Sequence, residues 1–245
     1  MARASRFSRF GFAIACTASL GFGLLAAAPA HAQPAPASPA NPATPLYTSF
    51  ETVDMLKEGG LVMVIRHERT EVPSRADDYT RPSAECRAQR NLSVAGVVSA
   101  DQNGALIRAA GIPVSRVISS PMCRSAETAR YMFGVDYETD ARLMHHDPGA
   151  DSARPLDKAA QETRELIASL GPVSAGGNIA LISHGGNIFK STGLRLTEGE
   201  IGVVRVGEDG AIETLGQFTG STLGFYVRMK QDEAAKAQEP AAEAP

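Results

Sequence analysis

Residues Leu61 to Thr70 read LVMVIRHERT. Five apolar residues run from Leu61 to Ile65 without polar interruption. Such a run is the pattern of a strand buried on both faces of a parallel sheet. It stops at Arg66-His67-Glu68, three ionisable residues at the strand's carboxyl end. In open α/β sheets that end is where ligands bind. A neutral imidazole nitrogen can attack phosphorus, and a guanidinium can fork onto two phosphate oxygens. A strand that simply runs into a charged, solvated loop has the same sequence, so the rest of the chain must decide.

The amino terminus is read separately. Arg3, Arg6 and Arg9 precede an apolar, small-residue stretch from Phe10 to Ala28, and Ala30-His31-Ala32 supplies a small-x-small cleavage site. This pattern predicts a secretory signal peptide over residues 1–32. Its richness in Ala, Gly, Ser and Thr favours cleavage over retention as a membrane anchor. Removal leaves 213 of the 245 residues and takes the formal charge from −3 to −6. An acidic surface argues against nucleic acid or anionic membrane as a partner. Cys86 and Cys123 then remain, and a leftover pair in an exported protein reads as a disulfide, with two buried free thiols as the alternative.

Residues 33–46 form a Pro/Ala-rich linker, and residues 231–245 read as a charged, Ala/Pro-rich disordered tail. Between them, residues 47–230 have the size of one α/β domain. Thr48-x-x-Glu51 is a capping box for a short helix that Gly59-Gly60 ends. Glu71 to Arg90 is a long polar connection of the kind that serves as a lid or specificity loop, or else is disordered. Asn91 or Ser93 caps a helix to about Ala110, and further helices are predicted over Met122–Phe133 and Leu156–Leu170. Arg116–Ser119 and Asn178–Ser183 read as buried strands. In the last third, Ile201–Val206 and Ala211–Phe218 flank an Asp209-Gly210 turn, and Thr222–Val227 reads as one more strand. The expected fold is α/β and three-layered, a mostly parallel sheet with helices on both faces.

Three apolar strands each end in residues suited to holding a phosphoryl group. The first ends at Arg66-His67, the second opens through Ser120 toward Arg124, and the third ends at His184-Gly185-Gly186-Asn187. Parallel neighbours would place these ends on one edge of the sheet. Glycines at 185 and 186 allow backbone N–H groups close to an anion, although His-Gly-Gly is also a plain turn sequence.

Taken together, these segments resemble the histidine phosphatase superfamily, also called phosphoglycerate-mutase-like, over about residues 61–193. Arg66-His67-Glu68-x-Thr70 stands where that family has Arg-His-Gly. Leu92-Ser93-x-x-Gly96, with Ala100 and Gly104, is similar to its first long helix. Ser119-Ser120-Pro121-x-x-Arg124-x-x-Glu127-Thr128-Ala129 is similar to its second-arginine segment, and Ser183-His184-Gly185 to its second histidine. The resemblance implies that His67 is the nucleophile, forming a phosphohistidine. It implies that Arg66, Arg124, His184 and Gly185 hold the phosphoryl group with His67, and that no metal or other cofactor is required.

Two positions depart from the family pattern. Glu68 replaces a glycine, so a side chain must be accommodated beside the pocket. The family's Leu-x-Glu proton donor is replaced by Leu143-Met144-His145-His146-Asp147. A leaving alkoxide needs a general acid, and either Asp147, the usual chemical type, or His145 is expected to supply it. The leading expectation is an exported phosphomonoesterase acting on a small or cell-envelope phosphate ester, in the periplasm or secreted. The alternatives are a catalytically weak phosphate-binding module of the same fold and a phosphohistidine-protein phosphatase.

Overall fold

Strand β1, Val62–Arg66, lies inside a six-stranded sheet and alternates its side chains between two cores. Met63 and Ile65 face one of them, Val62 and Val64 the other. This is the physical content of the uninterrupted apolar run, since each such side chain buried contributes roughly 1.5–3 kcal/mol and neither face is left for water. The protein is a computed structural model in which residues 47–72, 76–81, 83–147 and 153–238 are described. The expected signal peptide and linker lie outside the described residues, as do residues 239–245 of the expected tail.

The remaining strands are β2 (Val114–Ser119), β3 (Glu138–Thr139), β4 (Asn178–Ser183), β5 (Ile201–Val206) and β6 (Ile212–Phe218). Their order across the sheet is β3-β2-β4-β1-β5-β6. The first four are parallel, while β5 runs antiparallel to β1 and pairs with β6 as a hairpin. Helices α1 (Ser49–Glu58), α2 (Val94–Ala109), α3 (Cys123–Phe133) and α6 (Gly220–Gln238) pack one face through Leu56, Ile107, Met132 and Tyr226. Helices α4 (Leu156–Ser169) and α5 (Gly185–Thr192) cover the other through Ile167 and Ile188. The result is the expected three-layer α/β architecture with a mostly parallel sheet.

Local signals in the sequence act as read. The Thr48 backbone N–H donates to Glu51 Oε2 at 2.8 Å and the Glu51 N–H to Thr48 Oγ1 at 3.3 Å, closing the capping box on α1. Of the two candidate caps for α2 it is Ser93, whose hydroxyl accepts from Gly96 N at 3.0 Å. Gly96 is required for a different reason: a Cβ there would collide with the Arg69 carbonyl. It therefore lets α2 press against the loop that follows β1.

Two expectations need correction. Thr222–Val227 is helical, part of α6, and its buried residues Leu223, Gly224, Tyr226 and Val227 follow helical spacing. A six-residue apolar run does not distinguish helix from strand by itself. The same helix continues to Gln238, so residues 231–238 of the expected disordered tail are helical, with their side chains exposed. The plain-turn alternative at His184-Gly185-Gly186 is also set aside, since Gly185 opens a helix of eight residues.

Register fixes where the site lies. Arg66 pairs with Ser183 across β1 and β4, and Ser119 pairs with Ile182 across β2 and β4. The carboxyl ends of these three strands, and the residues just beyond them, therefore share one edge of the sheet.

The Cys86–Cys123 disulfide is present, with 5.5 Å between the Cα atoms. It ties the loop after β1 to the first residue of α3. With a sequence separation of 37 between the cysteines, the chain-entropy relation gives about 4 kcal/mol of stabilisation. Thiol titration of the unfolded, unreduced protein should detect no thiol from this pair. Reduction should lower the unfolding free energy by about that amount in a urea titration; an unchanged midpoint would remove its structural role.

Candidate active site

His67 follows β1 directly, and its backbone N–H donates to Ser183 O at 3.1 Å, so β4 holds the residue in place. Its ring is 1 % exposed. Nδ1 lies 2.9 Å from the Glu68 carbonyl. A carbonyl only accepts, which assigns the ring proton to Nδ1 and leaves the Nε2 lone pair free. His184, just after β4, is fully buried, and its ring centroid stands 5.3 Å from that of His67. Its Nε2 lies 3.0 Å from Ser120 Oγ, the first residue after β2. With the hydroxyl hydrogen donated there, Nδ1 carries the ring proton and has no hydrogen-bond partner. The three strand ends thus deliver His67, Ser120 and His184 to one point.

Arg66, His67, His145, His184, Gly185 and Gly186 line one cavity of about 290 Å³, with Arg90, Phe189, Arg195 and Leu196. Arg66 Nη1 donates to Leu196 O at 3.0 Å, and Nη2 approaches Glu198 at 3.8 Å, while Nε has no hydrogen-bond partner. Gly185 makes room for this guanidinium, because a Cβ there would lie 3.1 Å from Arg66 Nη1. Arg195 stacks over the Phe189 ring at 3.8 Å.

Arg124 occupies the first turn of α3 and is fully buried, but it does not form part of the cavity wall. Its Nη1 donates to Asp77 Oδ1 at 3.0 Å, and its Nε is unpartnered. A cation in the first turn opposes the helix dipole; Asp77 supplies the compensating charge. Of the two expected proton donors, His145 lines the cavity and Asp147 does not. Glu68 turns away from it. Its carboxyl is fully buried, accepts from Asn103 Nδ2 at 2.7 Å and belongs to a separate groove beside α2 and α6.

Electrostatics follow from this burial. The His67 pKa lies well below the ordinary imidazole value, first because the ring is buried and next because of Arg124. His184 is depressed in the same way by burial, Arg124 and His67. His145 falls to about 4, through burial and then His146 and Arg124. All three rings are therefore neutral at pH 7, as a nucleophilic imidazole requires. The unpartnered Nε atoms of Arg66 and Arg124 are donors, as is His184 Nδ1 in the tautomer in which Ser120 donates to Nε2, a set that fits an anion.

The same shifts bear on stability. A folded-state histidine pKa below the unfolded value near 6.5 means the unfolded chain binds more protons once pH falls through that value. The stabilisation is fully present above about pH 6.5 and is lost toward pH 4. Urea midpoints should accordingly drop between pH 7 and pH 4.5, and less so in a His145→Gln variant. Equal pH dependence in both proteins would contradict the buried neutral state of His145.

Sequence reasoning did not single out Asp77, Tyr79, Arg90, Phe189 or Arg195. Asp77, Tyr79 and Arg90 lie in the long polar loop, whose sequence reads as a lid or specificity loop or else as disordered; the disulfide at Cys86 is the available sign that it is held at the site. Among the described residues, no group of three or more His, Cys, Asp or Glu side chains could hold a metal ion.

No protein-family model matches the chain, and no curated protein is similar to it in sequence. Solved structures similar to it include a phosphoserine phosphatase from Entamoeba histolytica. Its mutant in complex with phosphoserine is 12 % identical, with 65 % of this chain and 97 % of the other covered and a TM-score of 0.50. Its complex with 3-phosphoglyceric acid is 14 % identical, with 65 % and 96 % covered and a TM-score of 0.50. The protein histidine phosphatase SixA, complexed with tungstate, is 17 % identical over 66 % of this chain and 99 % of its own, with a TM-score of 0.46. The chain shares its three-layer α/β fold, with a mostly parallel sheet, with the Entamoeba histolytica phosphoserine phosphatase.

Proposed function

We propose that the protein is an exported, metal-independent phosphomonoesterase that hydrolyses a small or cell-envelope phosphate ester through a phosphohistidine on His67. The observation that carries this reading is the pair of buried imidazoles 5.3 Å apart beside donors that have no protein partner. Phosphoryl transfer needs positioning and charge stabilisation more than covalent assistance. In this reading His67 Nε2 attacks phosphorus, and Arg66, Arg124, His184 and the Gly185 N–H hold the phosphoryl oxygens. The cavity of about 290 Å³ suits a compact substrate. Phosphorylated ligands in the Entamoeba histolytica neighbour support this substrate class. The signal-like segment at residues 1–32 and the disulfide support export.

A second reading, a binding module of this fold with little turnover, draws on the Asp77 carboxylate already paired with Arg124 and on the missing family glutamate. Hydrolysis of p-nitrophenyl phosphate by the metal-free mature protein separates the two. Its good leaving group needs little acid assistance, so turnover is expected. Inorganic phosphate binding without turnover would favour the binding module.

A further inference from the structure

The loop between β1 and α2 folds back over the active site and brings its own polar groups. Asp77 Oδ1 accepts from Arg124 Nη1 at 3.0 Å and from the Arg90 backbone N–H at 2.9 Å. The Tyr79 hydroxyl lies 2.7 Å from His145 Nδ1 and 3.4 Å from Asp77 Oδ2. The Tyr79 and His145 rings are stacked, 20° apart with centroids at 6.3 Å. The disulfide from Cys86 and a hydrogen bond from the Cys123 N–H to Gln89 Oε1, at 3.0 Å, fix this loop to α3. A continuous chain of contacts therefore runs from Arg124 through Asp77 and Tyr79 to His145, which lines the cavity beside His184 at 5.0 Å between ring centroids.

We propose that Tyr79, anchored by Asp77, is a positioning residue that makes His145 the proton donor to the leaving group. This inference rests on the phosphomonoesterase reading above. A phenol has one hydrogen to give and an oxygen that accepts. In the resting neutral state the Tyr79 hydroxyl donates to His145 Nδ1 and the ring hydrogen sits on Nε2. When His145 is protonated, Nδ1–H donates to the phenol oxygen and the phenol hydrogen turns to Asp77 Oδ2. The same three heavy atoms thus serve both protonation states and keep Nε2 for the substrate. A group that alternates between acid and base needs this.

The charges around His145 give the trigger. Burial first, then His146 on its own segment and Arg124 from α3 oppose its protonation, and Asp77 from the loop and a His146 backbone hydrogen bond favour it. A phosphoryl group held by Arg124 and His184 adds negative charge next to the ring, so substrate binding itself raises the proton affinity of the donor. In the first half-reaction the His67 Nε2–P bond forms as the P–O bond to the leaving group breaks. The electron pair departs on that oxygen, which takes the proton from His145 Nε2. That transfer leaves His145 neutral with Nδ1–H donating to the Tyr79 oxygen and a lone pair on Nε2. In the second half, water attacks phosphorus, its proton goes to that Nε2, and the N–P electron pair returns to His67. The sum is ester plus water giving alcohol plus phosphate.

The test compares wild-type protein with Tyr79→Phe, which keeps the stacked ring and removes only the oxygen, on glycerol 2-phosphate and on p-nitrophenyl phosphate. Glycerol 2-phosphate turnover should fall about 10-fold or more, a fraction of what a general acid contributes, with its pH optimum moved to lower pH. The aryl phosphate should lose less than threefold. In a His145→Gln background the same substitution should have no further effect, and the His145 ring titration followed by NMR should move in Tyr79→Phe. Equal losses on both substrates, or an unmoved pH profile and His145 titration, would overturn the role of Tyr79 while leaving the phosphatase reading intact. A wild-type protein inert on both esters would overturn that reading and this inference with it.

Discussion

His67→Ala should reduce turnover of p-nitrophenyl phosphate by at least about 10⁴-fold and eliminate any acid-labile phosphoenzyme. In covalent catalysis, loss of the nucleophile leaves only what binding and electrostatic stabilisation provide, and in a well-studied hydrolase that loss is about 10⁶-fold in kcat. The proposed mechanism gives this role to His67, and three features of the structure support that choice. Its Nδ1 is committed to the Glu68 carbonyl at 2.9 Å, so Nε2 holds a free lone pair. Burial and Arg124 keep it unprotonated far below neutral pH. It also lines the same cavity as Arg66, from the adjacent position on the chain. The fold should survive, because the ring's one intramolecular hydrogen bond goes to a neighbouring backbone carbonyl. Quench-flow trapping with labelled substrate checks the intermediate directly. A variant that kept normal turnover would remove the nucleophile assignment and the covalent mechanism together.

The fold was largely legible because its decisive signals are local. Uninterrupted apolar runs at 61–65 and 178–183 require burial on both faces, and the Thr48 box and Ser93 cap need only three or four residues to specify a helix start. The parallel register then follows from which strand ends carry polar residues. What failed was decided at long range. Thr222–Val227 is short and apolar, and it is a helix only because Leu223, Tyr226 and Val227 find α1 and α2 on one face of the sheet. The glycines at 185 and 186 hid a helix start, since intrinsic propensity is poor there and burial of Ile188 outweighs it. At the site, Arg66, His67, Arg124 and His184 were readable from position on the strands. Asp77 and Tyr79 were not, because their loop has no periodicity and their role depends on a pairing with residues 47 and 66 positions away. Glu68 was an anomaly in the sequence and is resolved by direction: its carboxyl meets Asn103 rather than the substrate.

Arg124→Ala should lower kcat/KM by about 10²- to 10³-fold, the roughly 3–4 kcal/mol that loss of an electrostatic clamp costs. It should also destabilise the fold. Arg124 is fully buried and the Asp77 side chain is 10 % exposed; removing one partner of a buried pair typically costs about 3–5 kcal/mol, because the other charge is left without compensation. The two effects are separable. In Arg124→Ala/Asp77→Asn the orphaned carboxylate becomes a neutral amide that can still accept from the Arg90 N–H, so much of the stability should return. Catalysis should not, since the cation whose charge acts on both His67 and His184 is still missing. Urea unfolding and aryl phosphate kinetics on the wild type, the single variant and the double variant give both quantities. Recovery of activity along with stability would make Arg124 a structural residue that holds the loop through Asp77. A loss below tenfold in the single variant would exclude it from the phosphoryl site altogether. The expected pattern, stability regained and activity still absent, follows if one guanidinium performs two jobs: Nη1 anchors the loop at 3.0 Å from Asp77, and Nε, without a hydrogen-bond partner in the protein, takes the phosphoryl oxygen in the proposed mechanism.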